Sequence, residues 1–242
     1  MGRFQERYDR YRAAVEEALQ SLFLRNKPYG RLQEAMRYSL LAGGKRVRPV
    51  ITLAFCEALG GEARRALPLG TALECVHTYS LIHDDLPCMD DDDLRRGRPT
   101  CHRVYGETMA VLAGDALQAE AFRLIAIAPG LSAEQRCEAV QTLASACGGD
   151  GMVAGQVLDM EGLARDEASL RDMCLRKTGG LLGAAADLGC IAAGASPEER
   201  RQGLAYAEHI GLAFQIRDDM LDVIADQEEF GKPVGSDREE GK

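Results

Sequence analysis

The chain has 242 residues, of which 46% are hydrophobic and 28% charged, and its formal net charge at pH 7 is −9. That length can bury a sizeable core, and we expect a single domain over residues 1–242. The acidic balance argues against a nucleic-acid binder, whose affinity would depend on a basic stripe that is absent here.

Apolar residues recur with helical spacing along almost the whole chain, and runs of alternating polar and β-branched residues are absent. We therefore predict an all-α protein. Ser132 with Gln135 and Ser196 with Glu199 fit capping boxes, and Gly60 fits a helix stop. In chain order the predicted helices span 4–24, 30–42, 48–59, 66–89, 103–128, 132–147, 149–163, 167–189 and 197–226.

The remaining composition narrows the setting. The most apolar stretch, 181–195, is too short to span a bilayer and contains Asp187, so no membrane span is expected. The eight cysteines are scattered without a C-x-x-C pair, and the chain opens without a signal segment, which favours a reduced, cytoplasmic setting. The four histidines lack the spacing of a zinc site.

Two aspartate clusters carry the strongest chemical signal. Residues 84–93 hold six aspartates, and a second cluster places Asp218 and Asp222 on one helical face. Clustered carboxylates near a core repel one another unless cations neutralise them. The first cluster alone fits a solvated surface equally well, but two clusters of one pattern indicate metal binding.

Magnesium is the natural occupant, because it takes carboxylate oxygens and completes its shell with water and substrate phosphates. The chain also offers local groups of basic residues, in the segment 43–49, at Arg95 and Arg96, and at Lys177 and Lys232. Together these groups predict a substrate that carries phosphate.

Six motifs in sequence resemble the trans-polyprenyl diphosphate synthases, closest to the bacterial farnesyl diphosphate synthases. They are Gly-Gly-Lys-Arg-Val-Arg-Pro (43–49), Glu-Cys-Val-His-Thr-Tyr-Ser-Leu-Ile-His-Asp-Asp-Leu-Pro-Cys-Met-Asp (74–90), Arg-Arg-Gly (95–97), Gly-Gln-Val-Leu-Asp (155–159), Lys-Thr-Gly (177–179) and Phe-Gln-Ile-Arg-Asp-Asp-Met-Leu-Asp (214–222). The resemblance implies an isoprenoid-synthase-type helical bundle around a deep central cavity, usually in a homodimer. The implied reaction joins isopentenyl diphosphate to an allylic diphosphate head to tail, with farnesyl diphosphate as product.

The resemblance also implies a metal site. Three Mg²⁺ ions, with Mn²⁺ as a substitute, would be held by Asp84, Asp85, Asp90, Asp218, Asp219 and Asp222. On a straight helix Asp91 would share the face of Asp84 better than Asp90 does, but Pro87 makes a straight helix doubtful. We therefore name Asp90, with Asp91 in reserve.

The same resemblance assigns the substrate contacts. Arg95 would bind the allylic diphosphate, and Lys45, Arg48, His77 and Arg96 would bind isopentenyl diphosphate. From the residues alone, His77 fits a hydrogen-bonded core histidine better. Further contacts to the allylic substrate are implied for Lys177, Thr178, Gln215, Lys232 and Lys242, and the residues expected to act in catalysis are Asp84, Asp85, Asp90, Arg95, Lys177 and Asp218.

Product length depends on the floor of the cavity. Tyr79 precedes Asp84 by five residues, which places it roughly 7 to 8 Å down the same helix. A bulky ring there resembles the farnesyl-forming members, although Tyr79 fits a packed core aromatic equally well.

Three alternatives stay open. The product could be geranyl or geranylgeranyl diphosphate, or the chain could be a non-catalytic synthase subunit, although such subunits commonly lose metal aspartates. A terpene cyclase is disfavoured by the aspartate-rich second cluster. The family normally continues through C-terminal helices beyond the position of Lys242, so we expect those helices to be absent or to lie outside this sequence.

Overall fold

The computed structural model describes residues 2–24 and 28–224, without side chains for 212 and 214–224. Within these residues the protein is all-α, as predicted, apart from one short hairpin. The helices are α1 Arg3–Gln20, α2 Gly30–Leu40, α3 Val47–Ala58, α4 Ala63–Asp84, α5 Cys101–Tyr105, α6 Glu107–Ala126, α7 Ala133–Cys147, α8 Met152–Met160, α9 Glu167–Cys174, a π-helix Leu175–Gly179, α10 Gly180–Ala193 and α11 Pro197–Ile224.

The main departures from the predicted helices have local causes. The helix predicted over 66–89 ends at Asp84, shortly before Pro87, whose ring is incompatible with a helix interior. The helix predicted over 103–128 is divided at Gly106, which has φ 87°, a conformation that glycine adopts at little cost. The helix predicted over 167–189 passes through the π-helix and continues to Ala193.

A hairpin that the sequence did not predict follows the acidic segment. Strand β1, Leu94–Arg95, pairs antiparallel with β2, Arg98–Pro99. The two residues between the strands, Arg96 and Gly97, have φ 55° and 72°, the positive values that a two-residue type I′ turn requires. The turn presents Arg96 at its tip, and the Arg98 guanidinium lies 4.5 Å from the centre of the Tyr38 ring.

Two helices form the centre of the bundle. Helix α4 packs against α3, α6 and α10, and in α10 every residue from Leu181 to Ala192 is buried. Small residues allow this close approach. A Cβ at Gly189 of α10 would lie 2.7 Å from the Phe55 Cβ of α3, too close for two carbon atoms. The glycine-rich stretch after Thr178 therefore serves tight packing.

Helix ends follow the sequence signals. Ser132 and Gln135 exchange hydrogen bonds in a capping box at the start of α7, and Ser196 and Glu199 do the same at the start of α11. Gly60, with φ 82°, follows the end of α3. Of the helices in the described part of the chain, none combines the length and the apolar character needed to cross a bilayer.

Candidate active site

A cavity of about 410 Å³ opens between the start of α3, the middle of α4 and the hairpin. We call it the cationic cavity, because four guanidinium or ammonium side chains line it. Its lining residues are Gly44, Lys45, Arg46, Val47, Arg48, Glu74, His77, Arg96 and Leu182. The four residues assigned to isopentenyl diphosphate from the sequence, Lys45, Arg48, His77 and Arg96, thus meet at one cavity.

The segment 43–46, which we call the anion loop, has an unusual backbone. Gly43, Gly44 and Arg46 all have positive φ, at 86°, 131° and 53°. The Arg96 guanidinium donates to the Gly43 carbonyl oxygen and covers Gly44, where a Cβ would lie 2.7 Å from Arg96 Nη1. The φ of 131° would strain any other residue at position 44, and the hairpin turn closes one side of the loop.

Arg46 anchors the other side of the anion loop. It is 3% exposed and stands directly before α3. Its guanidinium donates from Nε to Glu16 Oε1 at 2.7 Å, from Nη1 to Glu74 Oε1 at 2.6 Å, and from Nη2 to the Leu40 carbonyl at 2.8 Å. These contacts raise the pKa of Arg46 although burial opposes the shift.

The charge pattern also controls His77. Removal from water, together with the positive charges of Arg48 and Arg96, lowers the pKa of His77 well below its usual value. The imidazole is therefore neutral at pH 7 and can donate one hydrogen bond to an anion. His77 lies in the lining of the cavity. This position supports its predicted contact with isopentenyl diphosphate.

The second charged region, which we call the acidic turn, covers residues 84–93. Here α4 ends and the chain folds back, so the Asp90 amide donates to the Asp84 carbonyl at 2.9 Å. The turn brings Asp84 and Asp90 together without a helix between them. Asp91 has φ 52°, and the comparison of Asp90 with Asp91 on a straight helix therefore does not apply.

Asp84 and Asp85 have different surroundings. Gln156 Nε2 of α8 donates to Asp84 Oδ1 at 2.5 Å. Asp85 is 4% exposed and accepts from Arg95 Nε at 2.8 Å, and Arg95 also contacts Asp92 at 2.9 Å. Burial by itself would lower the pKa of Arg95, but the hydrogen bond with Asp85 and the negative charges of Asp85, Asp92 and Asp84 together raise it. Arg95 is therefore held beside the acidic turn with its charge retained.

The π-helix carries Lys177 and Thr178. Lys177 Nζ lies 2.5 Å from Asp159 Oδ2 of α8. The backbone of Lys177 packs directly on Gly155, where a Cβ would lie 2.8 Å from the Lys177 Cα. Segments of π-helix occur frequently at functional sites because the inserted residue redirects its neighbours. Helix α8 therefore contacts both the acidic turn, through Gln156, and the π-helix.

Tyr79 lies on α4 as predicted. It is 6% exposed, and its ring meets the imidazole of His83 edge-on with centroids 5.8 Å apart. Burial raises the pKa of Tyr79 to about 12. A packed aromatic ring at this depth is consistent with a cavity floor, and its effect on product length stays a prediction.

The acidic turn suits a hard divalent cation, because its possible ligands are carboxylate oxygens on one turn of the chain. Asp90 is exposed, so solvent can reach this position. Within the side chains that the structure describes, no three acidic, histidine or cysteine residues converge on a metal position. The site therefore needs further oxygen ligands, for which the second aspartate cluster and substrate phosphates are the candidates.

The second cluster is placed by its backbone alone. Helix α11 packs on the π-helix, where a Cβ at Gly211 would lie 3.2 Å from the Gly179 Cα. Its backbone continues through the positions of Gln215, Asp218, Asp219 and Asp222, whose side chains lie outside the described part. Lys232 and Lys242 also lie outside the described residues.

The sequence interpretation gave no role to four residues that complete these regions: Arg46, Glu74, Gln156 and Asp159. All four lie inside the quoted motifs. Glu74 carried a readable signal, since a carboxylate on an otherwise apolar, buried stretch of helix needs a partner. The partners of the other three belong to distant segments and leave no local pattern.

Comparison with known proteins agrees with this geometry. The model of the family described as polyprenyl synthetase matches residues 30–242. The farnesyl diphosphate synthase of Bacillus subtilis (strain 168) is 51% identical over 210 residues, which cover 85% of this chain and 71% of that protein. Geranylgeranyl pyrophosphate synthase 7, chloroplastic, of Arabidopsis thaliana is 50% identical over 229 residues, 93% of this chain and 66% of that protein.

A solved structure extends the likeness to the fold. The geranylgeranyl pyrophosphate synthetase of Pyrococcus horikoshii Ot3 superposes with a TM-score of 0.88 at 38% identity, over 100% of this chain and 74% of that one. The match therefore covers both charged regions and the helices that carry them. The chain belongs to the polyprenyl synthetase family, among its short-chain prenyltransferases.

Proposed function

We propose that the protein condenses isopentenyl diphosphate with dimethylallyl or geranyl diphosphate and releases farnesyl diphosphate. One observation carries the proposal. His77 in the cationic cavity and Asp84 at the acidic turn lie seven residues apart on α4, which places them on nearly the same face about 10 Å apart. Two diphosphates can therefore bind at the two ends of one helical face, with their hydrocarbon parts between them.

The cationic cavity would bind the diphosphate of isopentenyl diphosphate. Lys45, Arg48 and Arg96 supply positive charge, and the planar guanidinium groups match phosphate oxygens in pairs. His77, held neutral, would add a hydrogen bond without adding charge. This set of contacts needs no metal ion, because the protein itself supplies the opposite charge.

The acidic turn would receive the allylic diphosphate. Asp84, Asp85 and Asp90, with Asp218, Asp219 and Asp222, would hold Mg²⁺, which would neutralise the charge of the diphosphate and act on it as a Lewis acid. Asp85 holds Arg95 beside this position, and Lys177 adds a cation from the π-helix. Charge that develops on the leaving group is thus met by positive groups already in place.

The reaction consists of three bond changes. The carbon–oxygen bond of the allylic diphosphate breaks, and its electron pair leaves with the diphosphate. The double bond of isopentenyl diphosphate attacks the resulting allylic cation and forms the new carbon–carbon bond. A proton is lost next to that bond, and we assign the departed diphosphate as its acceptor, because it stays within the site.

Product length is the finer part of the proposal. The relatives above include a farnesyl diphosphate synthase and a geranylgeranyl pyrophosphate synthase. Farnesyl diphosphate is favoured by the buried ring of Tyr79, which lies about 7 to 8 Å along α4 from Asp84. Geranylgeranyl diphosphate is the second candidate, and it requires the growing chain to pass that ring.

The proposal includes a homodimer. Val104, Val111 and Leu112 are 45%, 40% and 48% exposed along α5 and α6, a concentration of apolar side chains that a second copy could cover. Light scattering should give twice the chain mass. A monomer at micromolar concentration would contradict this part alone.

Turnover by the purified protein tests the function. The protein is incubated with Mg²⁺, radiolabelled isopentenyl diphosphate and either dimethylallyl or geranyl diphosphate, and the dephosphorylated products are separated by chromatography. We expect C15 alcohol from both allylic substrates. A main product of C20 would replace the farnesyl assignment, and no label in any prenyl product would favour the non-catalytic subunit.

A further inference from the structure

Helix α1 contacts the anion loop although it precedes residue 30, where the match to the family model begins. The Tyr8 hydroxyl donates to the carbonyl oxygen of Lys45. About two turns further along α1, Glu16 Oε1 accepts from Arg46 Nε at 2.7 Å. Two successive residues of the loop are therefore held by one helix that contributes no side chain to the lining of the cavity.

Arg46 lines the cationic cavity, but its guanidinium is already committed. Its three nitrogens donate to Glu16, Glu74 and the Leu40 carbonyl, and its side chain is 1% exposed. A guanidinium held by three elements, α1, α4 and the end of α2, has no freedom to turn toward a bound anion. Arg46 therefore serves in the cavity wall by holding Lys45 and the start of α3 in position.

The loop needs such a restraint. Arg46 has φ 53°, a left-handed conformation that non-glycine residues adopt only when their surroundings impose it. The two glycines before it, at φ 86° and 131°, impose nothing themselves, because glycine is free to adopt many conformations. The ion pairs of Arg46 and the Tyr8 hydrogen bond are therefore what keeps Lys45 and Arg48 directed at one cavity.

We propose that Arg46 is a positioning residue for the cationic cavity, and that α1, through Tyr8 and Glu16, sets the affinity for isopentenyl diphosphate. The inference rests on the proposed function for the identity of this ligand. The allylic site is supported separately, by α8 through Gln156 and Asp159. Loss of the α1 contacts should therefore affect one substrate and spare the other.

Substitutions on α1 test this selectivity. In steady-state assays with isopentenyl and geranyl diphosphates, Glu16→Ala removes a charged hydrogen bond and should raise KM for isopentenyl diphosphate about tenfold. Tyr8→Phe removes a neutral hydrogen bond and should raise it about threefold. KM for geranyl diphosphate and kcat should stay within about twofold, because a merely loosened fold would change all three values.

Arg10→Ala provides the matched control. Arg10 also fastens α1, but to Glu57 of α3 through contacts of 2.7 and 2.8 Å that lie away from the loop. Its KM for isopentenyl diphosphate should remain that of the wild type. An equal rise in Arg10→Ala and Glu16→Ala would mean that general attachment of α1 matters, and the inference would be overturned.

A binding measurement separates this inference from the proposed function. Isopentenyl diphosphate is titrated into each protein in EDTA by calorimetry, where no turnover occurs, and the dissociation constant should rise by the same factors as KM. If the wild type binds the ligand and Glu16→Ala and Tyr8→Phe bind it equally well, the inference is wrong whether or not the enzyme makes farnesyl diphosphate.

Arg46→Lys adds the conservative variant. Lysine keeps the charge but cannot reach three partners in the fixed geometry of a guanidinium. Its dissociation constant should exceed that of Glu16→Ala, since all three contacts are disturbed. Circular dichroism checks each variant for folding, and should Arg46→Lys fail to fold, Glu16→Ala and Tyr8→Phe decide the question by themselves.

Discussion

The cationic cavity and the acidic turn lie at two ends of one face of α4 and handle charge in opposite ways. In the cavity, the buried Arg46 is compensated inside the protein, by Glu16 and Glu74. At the acidic turn, Asp85 is compensated by Arg95, whereas Asp90, Asp91 and Asp93 are exposed. This difference supports the proposal that one region binds an anion directly and that the other binds cations, which then bind an anion.

This difference has an energetic reason. A buried charge without a partner is costly, so the cavity must be assembled as a neutralised network before any ligand arrives. Exposed carboxylates on a turn are hydrated and repel one another only weakly, so they are stable there before any cation binds. We therefore expect the two regions to respond differently to mutation, chelation and pH.

The largest expected effect is at the acidic turn. Asp84→Asn keeps the shape of the side chain but removes a charge that would hold Mg²⁺, and we expect kcat to fall about 10²- to 10³-fold. Steady-state assays with geranyl diphosphate measure it. Asp93→Asn is the control with the same change of net charge, because Asp93 is exposed and pairs with Arg103 at 3.0 Å. A loss of less than fivefold in Asp84→Asn would contradict the proposed metal site.

Removal of divalent ions should separate the two regions. In EDTA, an unreactive thio analogue of geranyl diphosphate should bind at least about tenfold more weakly, because bare carboxylates repel its phosphates. Isopentenyl diphosphate should bind within about twofold of its affinity in Mg²⁺, since the protein itself supplies the basic side chains of Lys45, Arg48 and Arg96. Calorimetry measures the dissociation constants of both ligands. The analogue is titrated into protein that is already saturated with isopentenyl diphosphate. Equal losses for both ligands would show that the cavity also depends on metal.

Between the two regions, Tyr79 should control the length of the hydrocarbon. Tyr79→Ala removes a buried ring, costs about 3 kcal/mol of stability, and opens space below the allylic site. Products longer than C15 should appear by chromatography. Tyr206→Ala, which alters an aromatic side chain that is 60% exposed on α11, should leave the products unchanged. Unchanged C15 output from Tyr79→Ala would remove this residue as the floor.

The smallest effect concerns pH and His77. Its pKa is lowered in the folded protein, so below about pH 6.5 the unfolded chain binds a proton that the folded chain does not. Stability is therefore lost at His77 as pH falls, by at most about 1.4 kcal/mol per pH unit. His77→Gln should make the free energy of unfolding less dependent on pH between 7 and 5 in urea titrations. His209→Gln, an exposed change on α11, should not, and identical slopes in wild type and His77→Gln would refute the assignment.

Much of the fold was readable from local patterns. The spacing of apolar residues predicted helices at nearly every observed position, and the caps at Ser132 and Ser196 formed as expected. The failures have physical causes that act over a few residues. Helix α4 ends before Pro87, and Gly106 divides a predicted helix in two. Arg96 and Gly97 form a hairpin turn, although this pair is not a typical hairpin signal.

The sequence predicted which residues form the candidate site, but not which of them contact one another. The motifs supplied Lys45, Arg48, His77 and Arg96, and the fold brought them to one cavity. They did not reveal that Asp85 is engaged by Arg95, since that pairing depends on how the hairpin folds back over the end of α4. A carboxylate in a motif can thus hold a neighbouring cationic side chain, and the role of Asp85 in metal binding stays a prediction.

The sequence by itself determined the helical class, the chemical groups and their order, because helical periodicity and clustered charge are properties of neighbouring residues. The tertiary structure alone decided which charges are partners. Glu16, Arg46 and Glu74 come from three separate segments, and their pairing exists only once α1 and α4 pack around the anion loop. Contacts between distant segments depend on the packing of the whole bundle, which no local pattern encodes.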